Sequence, residues 1–199
     1  MIKIVPLAFL MRAVCFMVTA LPSYGYEVGL SLDGWQATVA DDPGGDVETA
    51  FQSSYLNLFG RYSFGYFHRV KVSVSDIDVA FDASTNEVGQ EGSGTQIQGI
   101  YQRRFDVADQ SMFGGIGLAY RDMEYNSRQT VTDSGSLQDQ FFDVEREEVS
   151  LVFSLEKVWP VEFLSNEMGL GFEMSYYQPF DEGLQGIKFG IGLSYDFSD

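Results

Sequence analysis

Seven charged side chains stand out by where they fall: Arg61, Lys71, Arg121, Glu148, Glu156, Glu173 and Lys188. They fall on a face that is largely Gly, Ser and Ala, on the opposite phase from runs of large apolar residues. Charges in such company must find partners or stay hydrated. Two chemistries follow: a structural plug of opposite charges, or a gate or proton path. Nucleophilic chemistry has less to work with. His68 is the sole histidine, next to Arg69, and Cys15 the sole cysteine. No G-x-S-x-G, H-E-x-x-H or G-x-x-x-x-G-K-[ST] occurs, and Gly114, Gly115 and Gly117 lie on a strand face rather than in a phosphate loop. The sequence implies no catalytic residue, cofactor or resident metal. Asp76-Ile-Asp78-Val-Ala80 departs from a calcium loop at Ala80, with no glycine after it.

The segments that would position those charges alternate with period two, the mark of strands with one apolar face. Ile187, Phe189, Ile191, Leu193, Tyr195 and Phe197 alternate with Lys188, Gly190, Gly192, Ser194 and Asp196. Seven further segments read the same way. Tyr26–Val39 carries Val28, Leu30 and Leu32 outward, with a phase slip and bulge expected at Gly34 that returns Trp35, Ala37 and Val39 to the apolar side. Ser54–Tyr66 follows, with Phe59 off phase. Val70–Phe81 is expected to slip at Asp76. Thr95–Phe105 is irregular, with Ile100 and Arg103 off phase. Strands around Met112–Arg121, Glu148–Trp159 and Met168–Tyr176 complete the set. Counting across hairpins puts Arg121 near Glu148 and Lys188 near Glu173.

Long polar connections (Ala40–Glu48, Asp82–Gly94, Asn126–Asp143, Gln178–Gln185) alternate with short ones at Phe67–Arg69, Asp106–Gln110 and Pro160–Asn166. The long ones are acidic: Asp41, Asp42, Asp46, Glu48, Asp82, Glu87, Glu91, Asp133, Asp139, Asp143, Asp181 and Glu182. Aromatics gather at strand ends, with Tyr66, Phe105, Trp159 and Phe197 toward the short turns and Trp35, Tyr55, Phe81, Tyr120 and Tyr176 toward the long loops.

Residues 1–25 read as a cleaved secretory signal, starting at Met1 or at Met11, with Ser23 and Gly25 before the cut. Residues 26–199 then form the mature domain, with 10 Lys and Arg against 29 Asp and Glu, a net charge of -19. That field disfavours binding to nucleic acid or to bare lipid phosphates. Apart from the leader no apolar run is long enough to span a bilayer as a helix, so crossing requires a closed barrel. The mostly Gly, Ser and Ala face suits the crowded inside of an eight-stranded barrel better than a solvated wall.

The last strand resembles the C-terminal insertion signal of bacterial outer-membrane barrels at Lys188, Gly190, Leu193, Tyr195 and Phe197, with Ser198 and Asp199 as extra residues. The chain is similar, as a pattern, to small eight-stranded outer-membrane barrels of the OmpA/OmpX type. The resemblance implies an all-β, antiparallel, up-and-down transmembrane β-barrel in a Gram-negative outer membrane, both termini periplasmic. It implies a monomer recognised through its last strand by the barrel-assembly machinery. Outer-membrane lipids and lipopolysaccharide would be its surroundings, bridged to the acidic loops by divalent cations. The function expected is structural or surface-interacting. A narrow pore for small or hydrophobic solutes is the second reading. A lipid-modifying enzyme is the third, because deacylases and acyltransferases on this fold pair a histidine with serine and an acidic residue.

Overall fold

The computed structural model describes residues 25–40, 49–81, 91–126, 128–131, 137–141, 143–161, 167–180 and 183–197. The leader, most of the acidic loop residues and the last two residues lie outside this set. Among the described residues ten strands follow one another: β1 (Tyr26–Ala40), β2 (Thr49–Ser63), β3 (His68–Phe81), β4 (Glu91–Val107), β5 (Gln110–Tyr125), β6 (Arg128–Val131), β7 (Leu137–Phe141), β8 (Val144–Pro160), β9 (Met168–Pro179) and β10 (Gly183–Asp196). Eight of them close a barrel in the order β1-β10-β9-β8-β5-β4-β3-β2, every pair antiparallel. The other two, β6 and β7, form a small hairpin inside the connection expected to be the longest loop.

Strand ends depart from expectation in instructive ways. The β9–β10 connection spans only residues 180–182, so the last of the expected long loops is short. His68 opens β3 rather than standing in a turn. At the β4–β5 turn both Ala108 (φ 48°) and Asp109 (φ 63°) are left-handed. A two-residue turn with that geometry matches the right-handed twist of its strands.

The phase slips expected at Gly34 and Asp76 do not occur. In β1 the side chains from Val28 to Gln36 alternate without a break, and Gly34 faces outward while Trp35 is buried inside the barrel at 4 % exposure. In β3, Asp76 and Asp78 face outward while Ile77 and Val79 are buried inside. The bulge lies instead in β2: Ser31 pairs with Asn57 and Asp33 with Ser54, so three β2 steps match two in β1. The same extra residue appears against β3.

The environment reverses rather than the strand. Around the middle of the barrel Leu30, Leu58, Ile116, Leu118, Phe153, Phe172 and Ile191 face outward and are exposed. Toward the long loops Asp76, Asp78, Asp122, Glu124, Glu145 and Glu147 face outward instead. There the apolar side chains turn inward as one cluster that includes Trp35, Ile77, Val79, Ile100, Met123, Tyr177 and Leu184. Removing apolar surface from water drives the second arrangement, as in any soluble core. The first is stable only where lipid replaces water outside. Ile100, off phase in the sequence, belongs to this inner cluster, and Arg103 faces outward.

Candidate functional site

All seven charges singled out in the sequence are buried inside the barrel, none more than 6 % exposed. They do not form one cluster but three, and each recruits residues that the pattern alone did not single out.

The largest surrounds Glu156, on β8 near the short-turn end. Its carboxylate accepts hydrogen bonds from Arg61 Nη2, from Arg69 Nη2 at 2.7 Å, from Gln102 Nε2 at 3.0 Å and from Lys71 Nζ at 3.3 Å. Arg61 also donates to Glu27 at 2.6 Å, and Lys71 to Glu173, which Ser175 Oγ meets at 2.7 Å. Two rings support the cations. Phe59 lies under the Arg61 guanidinium at 4.3 Å and near Lys71 Nζ at 4.6 Å, and Phe113 lies 3.4 Å from Arg69. Cations over ring faces gain from the ring quadrupole. Phe59 was off phase in the sequence because it is a lumen residue of large size. Space for it comes from glycine: a Cβ at Gly29 would run into the Phe59 ring, and one at Gly192 would sit 3.3 Å from it.

In the second cluster Lys188 Nζ meets Asp33 Oδ2 at 3.0 Å, and Asn57 bridges Asp33 at 3.0 Å and Ser31 at 3.1 Å. The expected Lys188–Glu173 pair is therefore replaced. Lys188 stands opposite Ser175, one inward position along from Glu173, and Glu173 reaches across the lumen to Lys71. Hairpin counting sees only adjacent strands, whereas an eight-stranded lumen is narrow enough for side chains from opposite walls to meet.

The third cluster holds Arg121 and Glu148, which face each other across β5 and β8 with Nη1 to Oε2 at 3.3 Å. Arg121 also donates to Gln96 Oε1 at 2.8 Å and to the Leu184 carbonyl at 3.2 Å. Its guanidinium carbon lies 4.8 Å from both the Trp35 and the Tyr177 ring. Glu148 accepts from Tyr125 at 3.1 Å and from the Leu184 amide at 3.2 Å.

Together the described residues of the three clusters hold five cations, Arg61, Arg69, Lys71, Arg121 and Lys188. They hold five carboxylates as well, Glu27, Asp33, Glu148, Glu156 and Glu173. The lumen network is neutral in a chain of strongly negative charge. A cavity of about 10 Å³ remains between Ser31, Arg61, Lys71, Glu156 and Glu173, the room of about one water. Arg69 and Asp33 were legible as i±2 neighbours of Lys71 and Ser31 on the same face, the periodicity that places side chains together in a strand.

The remaining sequence candidates lie elsewhere. His68 is half-buried at the short-turn end, its Nδ1 2.6 Å from the Tyr101 hydroxyl and its ring stacked on Phe64 at 6.0 Å. Of the five insertion-signal residues, Leu193, Tyr195 and Phe197 face outward and are exposed, while Lys188 and Gly190 face the lumen. Tyr66, Phe105, Trp159 and Phe197 ring the short-turn end as expected, and Tyr120 and Tyr176 face outward at the other. Trp35 is the exception, since it is in the lumen. The side chains of Tyr55 and Phe81 lie outside the described ones.

This is the fold of the small eight-stranded outer-membrane β-barrels, all-antiparallel and closed. Among solved structures, the chain superposes on the outer membrane protein OprG from Pseudomonas aeruginosa with a TM-score of 0.58, at 11% identity, over 89% of this chain and 97% of that one. Ail, the attachment invasion locus protein of Yersinia pestis, is similar at a TM-score of 0.49 and 16% identity, covering 86% and 98%. Neisserial surface protein A is similar at 0.48 and 11%, covering 85% and 96%. Neither a family model nor a curated protein matches the chain.

Proposed function

We propose that the protein is a monomeric outer-membrane barrel with a structural or surface-interaction role exerted through its acidic long-loop end. The observation that carries this is the reversal of polarity along the wall. An outward apolar band between aromatic ends fits lipid, and the outward acids beyond it fit water. The termini and short turns then belong on the periplasmic side, and the last strand presents the insertion signal to the assembly machinery. Divalent cations bridge the acidic end to lipopolysaccharide phosphates. The neutral, filled lumen supports a structural plug of paired charges rather than a conduit. The pore reading keeps one argument, the small polar-lined cavity among Arg61, Lys71 and Glu173. The enzyme reading ranks last, because His68 is engaged by Tyr101 at the short-turn end.

Cell fractionation together with heat-modifiable gel mobility tests the placement: a folded, faster-migrating band in the outer-membrane fraction is expected, and a soluble periplasmic product would refute it. Planar-bilayer conductance separates plug from pore. Mass spectrometry of lipid A with and without the protein tests the enzyme reading.

A further inference from the structure

The lumen clusters hold five of the ten lysines and arginines of the mature chain. Two others stand on the outer wall at the short-turn end. Arg103 is exposed between Tyr101 and Phe105 on β4, and Lys157 faces outward between Leu155 and Trp159 on β8. The register places them at opposite corners of one patch. Arg103 pairs with Gly114, which pairs with Leu155; Phe105 pairs with Met112, next to Lys157. The two cations are thus two strands apart, roughly 10 Å, and two residues offset along the wall. Both side chains are long enough to reach a group lying between them.

The floor between them is low and apolar. Gly114 carries no side chain, and the Phe105 ring lies over it, 3.0 Å from where a Cβ would stand. Lys157 Nζ lies 5.0 Å from the Trp159 ring and donates to the neutral Gln110 side chain. Among the described residues neither Arg103 nor Lys157 has a carboxylate partner, in a chain with 29 acidic residues. Arg104 next door is engaged with Asp106 and Ser111, so lack of a partner is not general at this end.

We propose that Arg103 and Lys157 bind the phosphate of an anionic glycerophospholipid in the leaflet that surrounds the short turns. A guanidinium fits phosphate oxygens bidentately and an ammonium adds a point charge. Aromatic side chains at headgroup level set the depth. On the strand walls the outward acids, Asp122 and Glu147 among them, lie at the other end; the exposed acids at this end, Asp106, Asp109 and Glu167, stand in or beside the turns, and Asp106 is paired with Arg104. The site rests on the membrane placement proposed above.

The protein carries its own reporter. It has two tryptophans, and Trp35 is enclosed in the lumen, so quenching by lipid reads Trp159. The folded barrel is reconstituted in phosphatidylcholine vesicles containing a small fraction of brominated phosphatidylglycerol, or the same fraction of brominated phosphatidylcholine. Each basic residue beside an anionic lipid favours it about five-fold, so the pair predicts enrichment up to about 25-fold at low salt. Clear excess quenching by the brominated phosphatidylglycerol is expected, reduced by salt and lost in the R103Q/K157Q variant, with folding checked by gel mobility. Equal quenching by the two lipids, or an excess that survives in R103Q/K157Q, overturns the site. No quenching by either lipid overturns the membrane placement itself.

Discussion

Glu156 is the residue on which the lumen depends most, and its removal makes a sharp test. The carboxylate is 2 % exposed and is met by three cations and one amide. In Glu156→Ala the three cations fare differently. Arg61 keeps Glu27 at 2.6 Å, and Lys71 keeps Glu173. Arg69 keeps Gln102 at 2.7 Å, the Phe113 ring and a distant Glu27 at 3.9 Å, so one buried guanidinium loses its close counter-charge and the network becomes net positive. Breaking a buried pair from one side costs about 3–5 kcal/mol. Water entering through the neighbouring cavity offsets part of this, so about 3 kcal/mol is expected. Urea titration of the folded barrel in micelles, followed by heat-modifiable mobility, measures it. The double variant R69A/E156A should recover stability relative to E156A, because it restores neutrality. A loss below about 1 kcal/mol for E156A, or simple additivity with R69A, would show that the three cations do not depend on this carboxylate.

The third cluster gives a second cycle: R121A should be harmful and R121A/E148A milder, with no ion flux in planar bilayers, whereas conductance in a folded single variant would move the pore reading to first place. The polarity reversal predicts that Ile116→Arg, mid-band and outward, costs about 2–4 kcal/mol in bilayer refolding, while Asp122→Arg on the same strand face costs about 0–1 kcal/mol. Equal costs would remove the argument for a lipid band. Tyr195→Asp or Phe197→Asp should cut the amount of assembled protein in cells while costing about 0–1 kcal/mol in purified, refolded barrel; normal assembly would mean that these aromatics are not part of the signal.

Strand number, closure and the inward set of charges could be read from the sequence because a period of two assigns faces whenever the two sides meet different media. The same logic misread Trp35, Ile77 and Val79. Their strands carry on in phase, but the outside changes from lipid to water, and apolar residues move to the other face. A slip in hydrophobic phase and a change of surroundings leave the same trace in one strand. They differ only in that the second recurs at one height in several strands, here at Asp76, Asp122 and Glu147. Partner choice was the other gap. Arg121 and Glu148 face each other on adjacent strands and were countable, whereas Lys71 meets Glu156 and Glu173 across the lumen, which no hairpin count reaches.

The strands are also longer than the band they cross. β5 has 16 residues, which at barrel tilt rise about 40 Å, against an apolar band of about 25 Å. The difference stands as a collar of about 15 Å on the long-loop side, largely apolar within and acidic without. Its apolar filling includes Trp35, whose ring is tilted against that of Tyr177 with centroids 4.2 Å apart. The long-loop ends of the barrel strands therefore stand clear of the apolar band rather than at its edge.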